Sequence, residues 1–241
     1  MKTLENEFSK DGNSNRRNFL EKTLKIAAIT GVGGITILSA CKEKGDEEKE
    51  VSPPEDLMQE HGLLNRVLLI YDTCRIHLTD KKSFPKEALY NSANIIRTFV
   101  EDYHEKQEEN YLFPRFKKAN QLTDLVQTLL AQHNAGRNIT SKIMQLGKTK
   151  TLSAGENQNL IQLLGDFNTM YRPHEAREDT VLFPAFRKIV SKHEYDSLGE
   201  DFEKNEHKIF GEDGFDTMVN KVADIEKQLG IYDLAQFTPT V

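Results

Sequence analysis

The chain has 241 residues, a formal net charge of -6 and a sequence pI near 5.7. This length suits one domain plus a processed leader, and the acidic balance provides no general attraction for nucleic acid, which we do not expect as a partner. Gly and Pro are few, long segments run without helix breakers and strand-like alternation is scarce, so the composition favours an all-α domain.

The N-terminal segment has the pattern of an export signal. Residues 15–22 read NRRNFLEK, and the double arginine with Phe19 and Leu20 resembles a twin-arginine signal, although the positions before and after this motif depart from it. The apolar stretch at residues 26–40 is too short and too rich in Gly to span a bilayer, which takes about 20 apolar residues. We interpret this stretch as the core of a signal peptide.

The apolar stretch ends in Leu-Ser-Ala-Cys, which resembles a bacterial lipobox with Cys41 as the lipid-bearing residue. We therefore predict a signal peptide over residues 1–41 and a lipoprotein anchored to a membrane at the periplasm or cell surface. An uncleaved anchor with an incidental Cys41 is the alternative. The charged residues 42–53 predict a flexible linker. The other cysteine, Cys74, then has no partner except a lipidated one, so we expect a packed thiol and no disulfide.

Four long amphipathic segments with short connections predict an antiparallel up-down four-helix bundle over residues 54–190. Ser52 and Ser153 have the character of helix caps, and Pro114 and Pro184 are expected to end or kink the second helix and to end the fourth. A C-terminal helical extension over residues 191–241, packed on the bundle, adds two amphipathic helices near 194–209 and 213–229. The four bundle helices are predicted at residues 54–79, 85–111, 120–147 and 153–182.

One motif occurs twice. Residues 103–116 and 173–186 both follow His-Glu-x-x-Glu-(Glu/Asp)-x-x-Leu-Phe-Pro-x-Phe, and the two copies align without a gap. The histidine of the first predicted helix, His61, has its counterpart in His133 of the third. The two halves of the bundle are therefore predicted to be copies of one half-site, related by a pseudo-twofold axis.

Each predicted bundle helix carries one histidine in its apolar seam, because positions three, four and seven apart share a helix face. Two of the helices also carry a glutamate four residues later. Burying unpaired charge costs several kcal/mol per group, and a pair of metal ions would remove that penalty, since imidazoles donate lone pairs and carboxylates can bridge two cations. The six candidate ligands are His61, His104, Glu108, His133, His174 and Glu178.

The order His, His-x-x-x-Glu, His, His-x-x-x-Glu on four helices resembles the hemerythrin-like, or HHE cation-binding, domain over roughly residues 55–190. The resemblance implies a centre of two non-heme iron ions, bridged by the two carboxylates and an oxo or hydroxo group. Oxygen-carrying members place a second histidine four residues after that of the third helix, where this chain has Arg137. The site is more similar to bacterial di-iron proteins linked to nitric oxide stress and repair of iron centres. Those proteins usually carry an additional N-terminal Cys-bearing domain that is not seen in this sequence.

Other polar residues are predicted to flank the ligands or to lie away from them. Helical phase puts Arg137 on the inner side of its helix, where it would hold an anion or shield the site, or else extend to the surface. Tyr111 and Tyr171 flank the ligand stripe as hydrogen-bond donors, electron donors or packed aromatics. The histidines at 77, 193 and 207 fall off the ligand face, and Glu105 and Glu175, one step from the seam, are expected to be solvated.

Three functions remain open. The first is a binding protein for oxygen or nitric oxide in storage, sensing or stress defence. The second is a redox enzyme that reduces nitric oxide or peroxide, with an unidentified electron donor, or an iron donor for the repair of iron centres. The third, a structural zinc bundle, is disfavoured because structural zinc takes four ligands, often thiolates. No reductase-docking motif or second cofactor site is recognisable, which favours binding over turnover.

Replacing Arg16 and Arg17 with Lys should trap the precursor in the cytoplasm, because a twin-arginine signal depends on the paired arginines. Cell fractionation followed by immunoblotting measures the distribution. Lys25→Arg, which keeps the leader charge, is the control and should be exported normally. Normal export of the double variant would instead indicate the general secretory route.

Overall fold

The computed structural model describes residues 51–240, so the predicted signal peptide, Cys41 and most of the predicted linker lie outside the described residues. The described part of the chain is helical throughout and contains no strand, which confirms the all-α prediction. None of its helices is both long enough and apolar enough to cross a membrane.

The described residues contain α-helices, numbered in chain order, and three π-helical segments, in which the backbone hydrogen bonds reach five residues back. The elements are α1 (Pro53–Thr79), α2 (Lys86–Ile95), π1 (Ile96–His104), α3 (Glu105–Gln107), π2 (Glu108–Leu112), α4 (Phe113–Ala119), α5 (Thr123–Gly147), α6 (Ala154–Arg177), π3 (Glu178–Leu182), α7 (Phe183–Ile189), α8 (Lys192–Phe210), α9 (Gly214–Leu229) and a 3₁₀ turn (Leu234–Phe237).

These elements form four long rods: α1, residues 86–119, α5, and residues 154–189. Helix α1 packs against α2, π1 and α6, and α5 packs against α2 and α6, so each rod contacts its two neighbours in a closed ring. Short connections between consecutive rods make them antiparallel. The predicted four-helix bundle is confirmed, and α8 and α9 both pack against α1.

Of the two alternatives for Pro114, a helix end or a kink, the helix end is wrong, because the rod continues to Ala119. The predicted end before Pro184 is also wrong, because that rod continues to Ile189. A π turn precedes each proline: the Phe113 N–H donates to the Glu108 carbonyl five residues back, and the Phe183 N–H donates in the same way to Glu178. Each proline therefore lies in the first turn of a new α segment, where its missing N–H is not needed. The rod passes the proline without ending.

The starts of α6 and α1 follow ordinary capping rules. The Ser153 Oγ accepts a hydrogen bond from the Glu156 N–H at 3.3 Å, and the Glu156 carboxylate accepts one from the Ser153 N–H at 2.8 Å, which confirms the predicted cap of α6. At the start of α1, the Ser52 N–H donates to the Glu55 carboxylate at 3.0 Å. Cys74 is a buried thiol as predicted, and burial raises its pKa to about 12.

Two apolar clusters fill the bundle, one toward each end. The first includes Leu64, Tyr71 and Phe167, and the second includes Leu57 and Phe186. In every rod the candidate histidine lies between the residues of one cluster and those of the other. The polar cluster therefore divides the core, with a packed apolar layer on either side.

The two C-terminal helices extend both clusters. Helix α8 adds Phe202 to the second cluster, and α9 adds Val222 to the first. The Arg66 guanidinium of α1 donates two hydrogen bonds to the Glu226 carboxylate of α9, at 2.9 and 2.5 Å. Such a bidentate pair fixes direction as well as position, so α9 is held in register along α1.

Candidate metal centre

The four candidate histidines meet as two facing pairs. The Nε2 atoms of His61 and His104 are 3.1 Å apart, and those of His133 and His174 are 3.2 Å apart. All four side chains are buried. Each pair therefore directs two ring nitrogens at one point inside the bundle.

The opposite nitrogen of each ring, Nδ1, contacts a fixed oxygen. The partners are Asp179 for His61 at 2.8 Å, Glu60 for His104 at 2.7 Å, Glu109 for His133 at 3.1 Å and Gln132 for His174 at 2.9 Å. These contacts favour the tautomer that carries its proton on Nδ1, which leaves the lone pair on Nε2. Two lone pairs then face each other across about 3 Å in each pair, an arrangement that a cation between them stabilises.

Glu108 and Glu178 lie between the two histidine pairs. The Glu108 Oε2 is 4.0 Å from the His104 Nε2 and 3.4 Å from the His133 Nε2. The Glu178 Oε2 is 3.5 Å from the His61 Nε2 and 3.1 Å from the His174 Nε2. Each carboxylate thus lies close to one histidine of each pair, which is the arrangement that two bridging ligands require.

The two carboxylates are fully buried, and none of their four oxygens accepts a hydrogen bond from residues 51–240. Burial and the neighbouring Glu178 raise the pKa of Glu108 well above its usual value. Burial also tends to raise the pKa of Glu178, but its contacts with His174 and His61 outweigh this and hold it well below the usual range. A cation between the carboxylates would allow both to ionise, so the donor set fits a metal.

Each copy of the duplicated motif contacts a histidine of the other half of the bundle as well as supplying ligands to its own half. In the first copy, Glu109 follows the ligand Glu108 and contacts His133 of the other half. In the second copy, Asp179 follows the ligand Glu178 and contacts His61. The acidic residue at this motif position therefore orients a histidine on the opposite half of the bundle.

The phenylalanine of each Leu-Phe-Pro sequence likewise contacts a histidine of the other half. The Phe113 ring stacks on His133, with centroids 5.6 Å apart and planes inclined by 20°. The Phe183 ring stacks on His61 at 5.6 Å and 17°. Each ring restrains its imidazole and covers it with apolar surface, and the π turn before it keeps the motif glutamate and phenylalanine on one continuous rod.

Arg137 faces inward but on the Nδ1 side of His133, away from the facing Nε2 atoms. Its NH2 atom is 2.5 Å from the Glu105 Oε2 and 2.6 Å from the Glu109 Oε1. The Tyr171 hydroxyl donates to the Glu105 Oε1 at 2.5 Å, and its ring centroid is 5.4 Å from that of His174. Of the alternatives for Arg137, the structure favours the holding of anions, here two carboxylates of the protein.

Tyr111, expected beside the ligands, makes its contacts elsewhere. Its hydroxyl accepts a hydrogen bond from Asn205, and its ring packs edge-on against Phe202, both on α8. His77 contacts Phe84. The histidines at 193 and 207 are exposed. None of these four residues has a contact with the six candidate ligands among the contacts of residues 51–240.

The prediction that Glu105 and Glu175 are solvated is wrong, since both are buried. Glu105 contacts Tyr171 and Arg137, and Glu175 accepts a hydrogen bond from Asn65. Burial raises the pKa of Glu105 to about 8 and that of Glu175 to about 7. The helical phase of one segment places a residue at the edge of a seam, but it does not show that a neighbouring rod offers a hydrogen-bond donor there.

Four orienting residues were missed by sequence reasoning, although signals for them exist. Glu60 and Gln132 each directly precede a ligand histidine, so they repeat with the same spacing as His61 and His133. Glu109 and Asp179 occupy the Glu/Asp position of the motif. A search for polar residues that repeat with the ligand spacing would have identified all four.

The comparisons with known proteins agree with this geometry. The sequence model of the Hemerythrin HHE cation binding domain matches residues 52–186. Proteins described as uncharacterized, from Mycobacterium bovis and two strains of Mycobacterium tuberculosis, are 44% identical over 241 residues, which covers 93% of this chain and 91% of each relative. No solved structure matches the chain.

Gly136→Ala should destabilise the bundle, because a Cβ at this position would lie 2.3 Å from the Tyr171 hydroxyl. Displacement of Tyr171 would break its hydrogen bond to Glu105, and overpacking of this kind costs about 1–3 kcal/mol. Urea denaturation measures the free energy of unfolding. Gly155→Ala, with nothing within 4 Å of the added carbon, is the matched control and should be neutral or slightly stabilising, because Ala has the higher helix propensity. Equal stability of the two variants would contradict the close packing of Tyr171 on Gly136.

Proposed function

The chain belongs to the hemerythrin HHE cation-binding family, and we propose that its buried cluster holds two non-heme iron ions that bind oxygen or nitric oxide. The observation that carries the proposal is the position of the two carboxylates. Glu108 and Glu178 each approach one histidine from each facing pair, while their oxygens accept no hydrogen bond. His61 and His104 would hold one ion, His133 and His174 the other, and the carboxylates would be shared.

The donor chemistry supports iron over structural zinc. Histidine and carboxylate ligands are typical of non-heme iron sites that keep open positions for a substrate. Two histidines and two shared carboxylates would leave two positions of a six-coordinate ion open, whereas structural zinc is closed by four ligands, often thiolates. When bound, a pair of iron ions supplies redox-active positions at which a small diatomic ligand can bind. Within residues 51–240 no thiolate reaches the cluster, since Cys74 is packed in the apolar core, and this agrees with the choice of iron.

The surrounding residues would orient the donors and exclude bulk water. The oxygens that contact the four Nδ1 atoms fix the rings, and the stacked rings of Phe113 and Phe183 cover two of them. An apolar cluster lies on either side of the polar layer. Such a site admits a small uncharged ligand more readily than a large or charged one, which supports a diatomic gas as the partner.

A redox enzyme that reduces nitric oxide or peroxide is the second candidate, and Tyr171 is the observation that favours it. This buried phenol donates a hydrogen bond to Glu105 at 2.5 Å and lies beside His174. Reduction of peroxide to water takes two electrons and two protons, and a phenol in this position would supply one of those electrons while its proton passes to Glu105. The residues of the described chain identify no electron donor to restore it, so binding remains the primary proposal.

The proposed location is outside the cytoplasmic membrane, with the bundle tethered through a lipid on Cys41. The paired arginines, the short apolar stretch and the Leu-Ser-Ala-Cys sequence support it. A tethered gas-binding domain would act close to the membrane surface.

The protein reconstituted anaerobically with ferrous iron should retain about two irons per chain, one for each histidine pair. Glu108→Ala and Glu178→Ala should each lower retained iron severalfold, because each removes a ligand shared by both positions. Elemental analysis after desalting measures the content. His77→Ala removes a histidine that contacts Phe84 instead, and it should retain the full amount. Full iron content in both glutamate variants would contradict the dinuclear site.

The reduced, iron-loaded protein should form a stable stoichiometric adduct with oxygen or nitric oxide, visible as a new absorption band after rapid mixing. Glu108→Ala should lose the band. Repeated consumption of nitric oxide or peroxide in the presence of a reductant would contradict simple binding and would establish the redox enzyme in its place. Tyr171→Phe would then test whether the phenol supplies an electron.

A further inference from the structure

The two histidine pairs have matching geometry but different charge around them. Glu60 and Gln132 are equivalent positions, since each directly precedes the first ligand histidine of its half, and each contacts the Nδ1 of the second. The partner of His104 is therefore a carboxylate, and the partner of His174 is a neutral amide. The two side chains have nearly the same shape, so the difference between them is one of charge.

A second difference concerns the carboxylates that contact the first histidine of each half. The Glu109 carboxylate on His133 also contacts Arg137 at 2.6 Å and Lys106 at 2.5 Å. The Asp179 carboxylate on His61 contacts no lysine or arginine within residues 51–240. The equivalent positions explain this contrast, because Arg137 corresponds to Asn65 and Lys106 corresponds to Ala176.

We propose that the two metal positions are unequal: the position formed by His61 and His104 binds its ion more tightly and fills first, and the position formed by His133 and His174 is the weaker, exchangeable one. This inference rests on the proposed dinuclear function. A carboxylate that accepts the Nδ1 proton raises the basicity of the imidazole toward a metal, and changes to such partners typically alter metal affinity by about 10–100-fold.

The distances from the shared carboxylates to the histidine Nε2 atoms slightly favour the opposite order of binding. The Glu178 Oε2 is 3.5 Å from the His61 Nε2 and 3.1 Å from the His174 Nε2. The Glu108 Oε2 is likewise nearer to the Nε2 atom of the second pair, that of His133, than to that of His104. Rotation about the last torsion of a glutamate is soft, so the carboxylates can shift by this amount when an ion binds. The identities of Glu60, Arg137 and Lys106 are set by the sequence and cannot shift in this way, so we infer the order of binding from them.

Anaerobic titration with ferrous iron against a competing chelator tests the proposal. The wild-type protein should show two steps that differ at least about tenfold in affinity. His133→Ala should keep the tight step, and His61→Ala should lose it. These two variants assign each step to one position.

Glu60→Gln and Gln132→Glu form a matched pair of variants. Each places in one half of the bundle the residue that the other half has at the equivalent position. Glu60→Gln should weaken the tight step about 10–100-fold, and Gln132→Glu should strengthen the weak step by a similar factor. The double variant keeps the net charge of the protein and should bring the two steps together or reverse their order. A purely structural role for these residues would instead weaken iron binding in both single variants.

Two equal steps in the wild-type protein, or weakening in both single variants, would overturn this inference while leaving the dinuclear site intact. An absence of iron uptake would overturn the proposed function, and this inference with it. Retention of the tight step by His61→Ala in place of His133→Ala would show that the order of the two positions is the opposite of the one proposed.

Discussion

The protein buries two carboxylates and four imidazoles in the middle of its core, and the rest of the structure is arranged around that constraint. An unpaired buried charge costs several kcal/mol, against a total stability of about 5–15 kcal/mol for a typical domain. The oxygens of Glu108 and Glu178 accept no hydrogen bond that would lower this penalty. Cation binding would therefore stabilise the fold as well as create a reactive site, as is general where a metal site forms with the native structure.

The two apolar clusters compensate for the polar layer between them. They contain most of the large fully buried side chains, including Tyr71, Phe99 and Phe186. Because packing on each side holds the four rods in place, the ligand positions are set by the bundle and not only by the metal. The packing on both sides therefore holds the positions of the candidate histidines and glutamates when their protonation changes.

The π segments are the local irregularity that the site requires. His104, Glu108 and Glu178 all lie within them. A π turn has less favourable hydrogen bonding than an α turn and often occurs at functional sites. Here it also lets each rod continue past a proline, so that a ligand glutamate and the stacking phenylalanine five residues later belong to one rigid segment.

The sequence was sufficient to predict the bundle and to select the six candidate ligands, because both depend on periodicity along single helices. Pro114 was misread because its effect depends on the π turn before it, which no propensity reveals. Glu105 and Glu175 were misread because their burial depends on Tyr171 and Asn65, which lie on other rods. Helical phase describes one helix at a time and therefore gives no information about contacts between rods.

The contacts between each motif copy and a histidine of the other half explain why the whole motif is duplicated and not only its ligands. Glu109 and Phe113 act on His133, while Asp179 and Phe183 act on His61. Neither half can orient its own first histidine with its own residues, so two copies complete each other and one copy would be incomplete. In the proposed dinuclear site, the donors themselves must stay equivalent for both ions to bind.

Residues one contact further out, such as Glu60 and Gln132, are free to differ without loss of the ligand set. In the proposed dinuclear site, a chain of this architecture can therefore give the two metal positions different affinities while its ligand motif remains unchanged. A ligand pattern alone cannot reveal that difference, and the polar partners of the Nδ1 atoms have to be compared half by half.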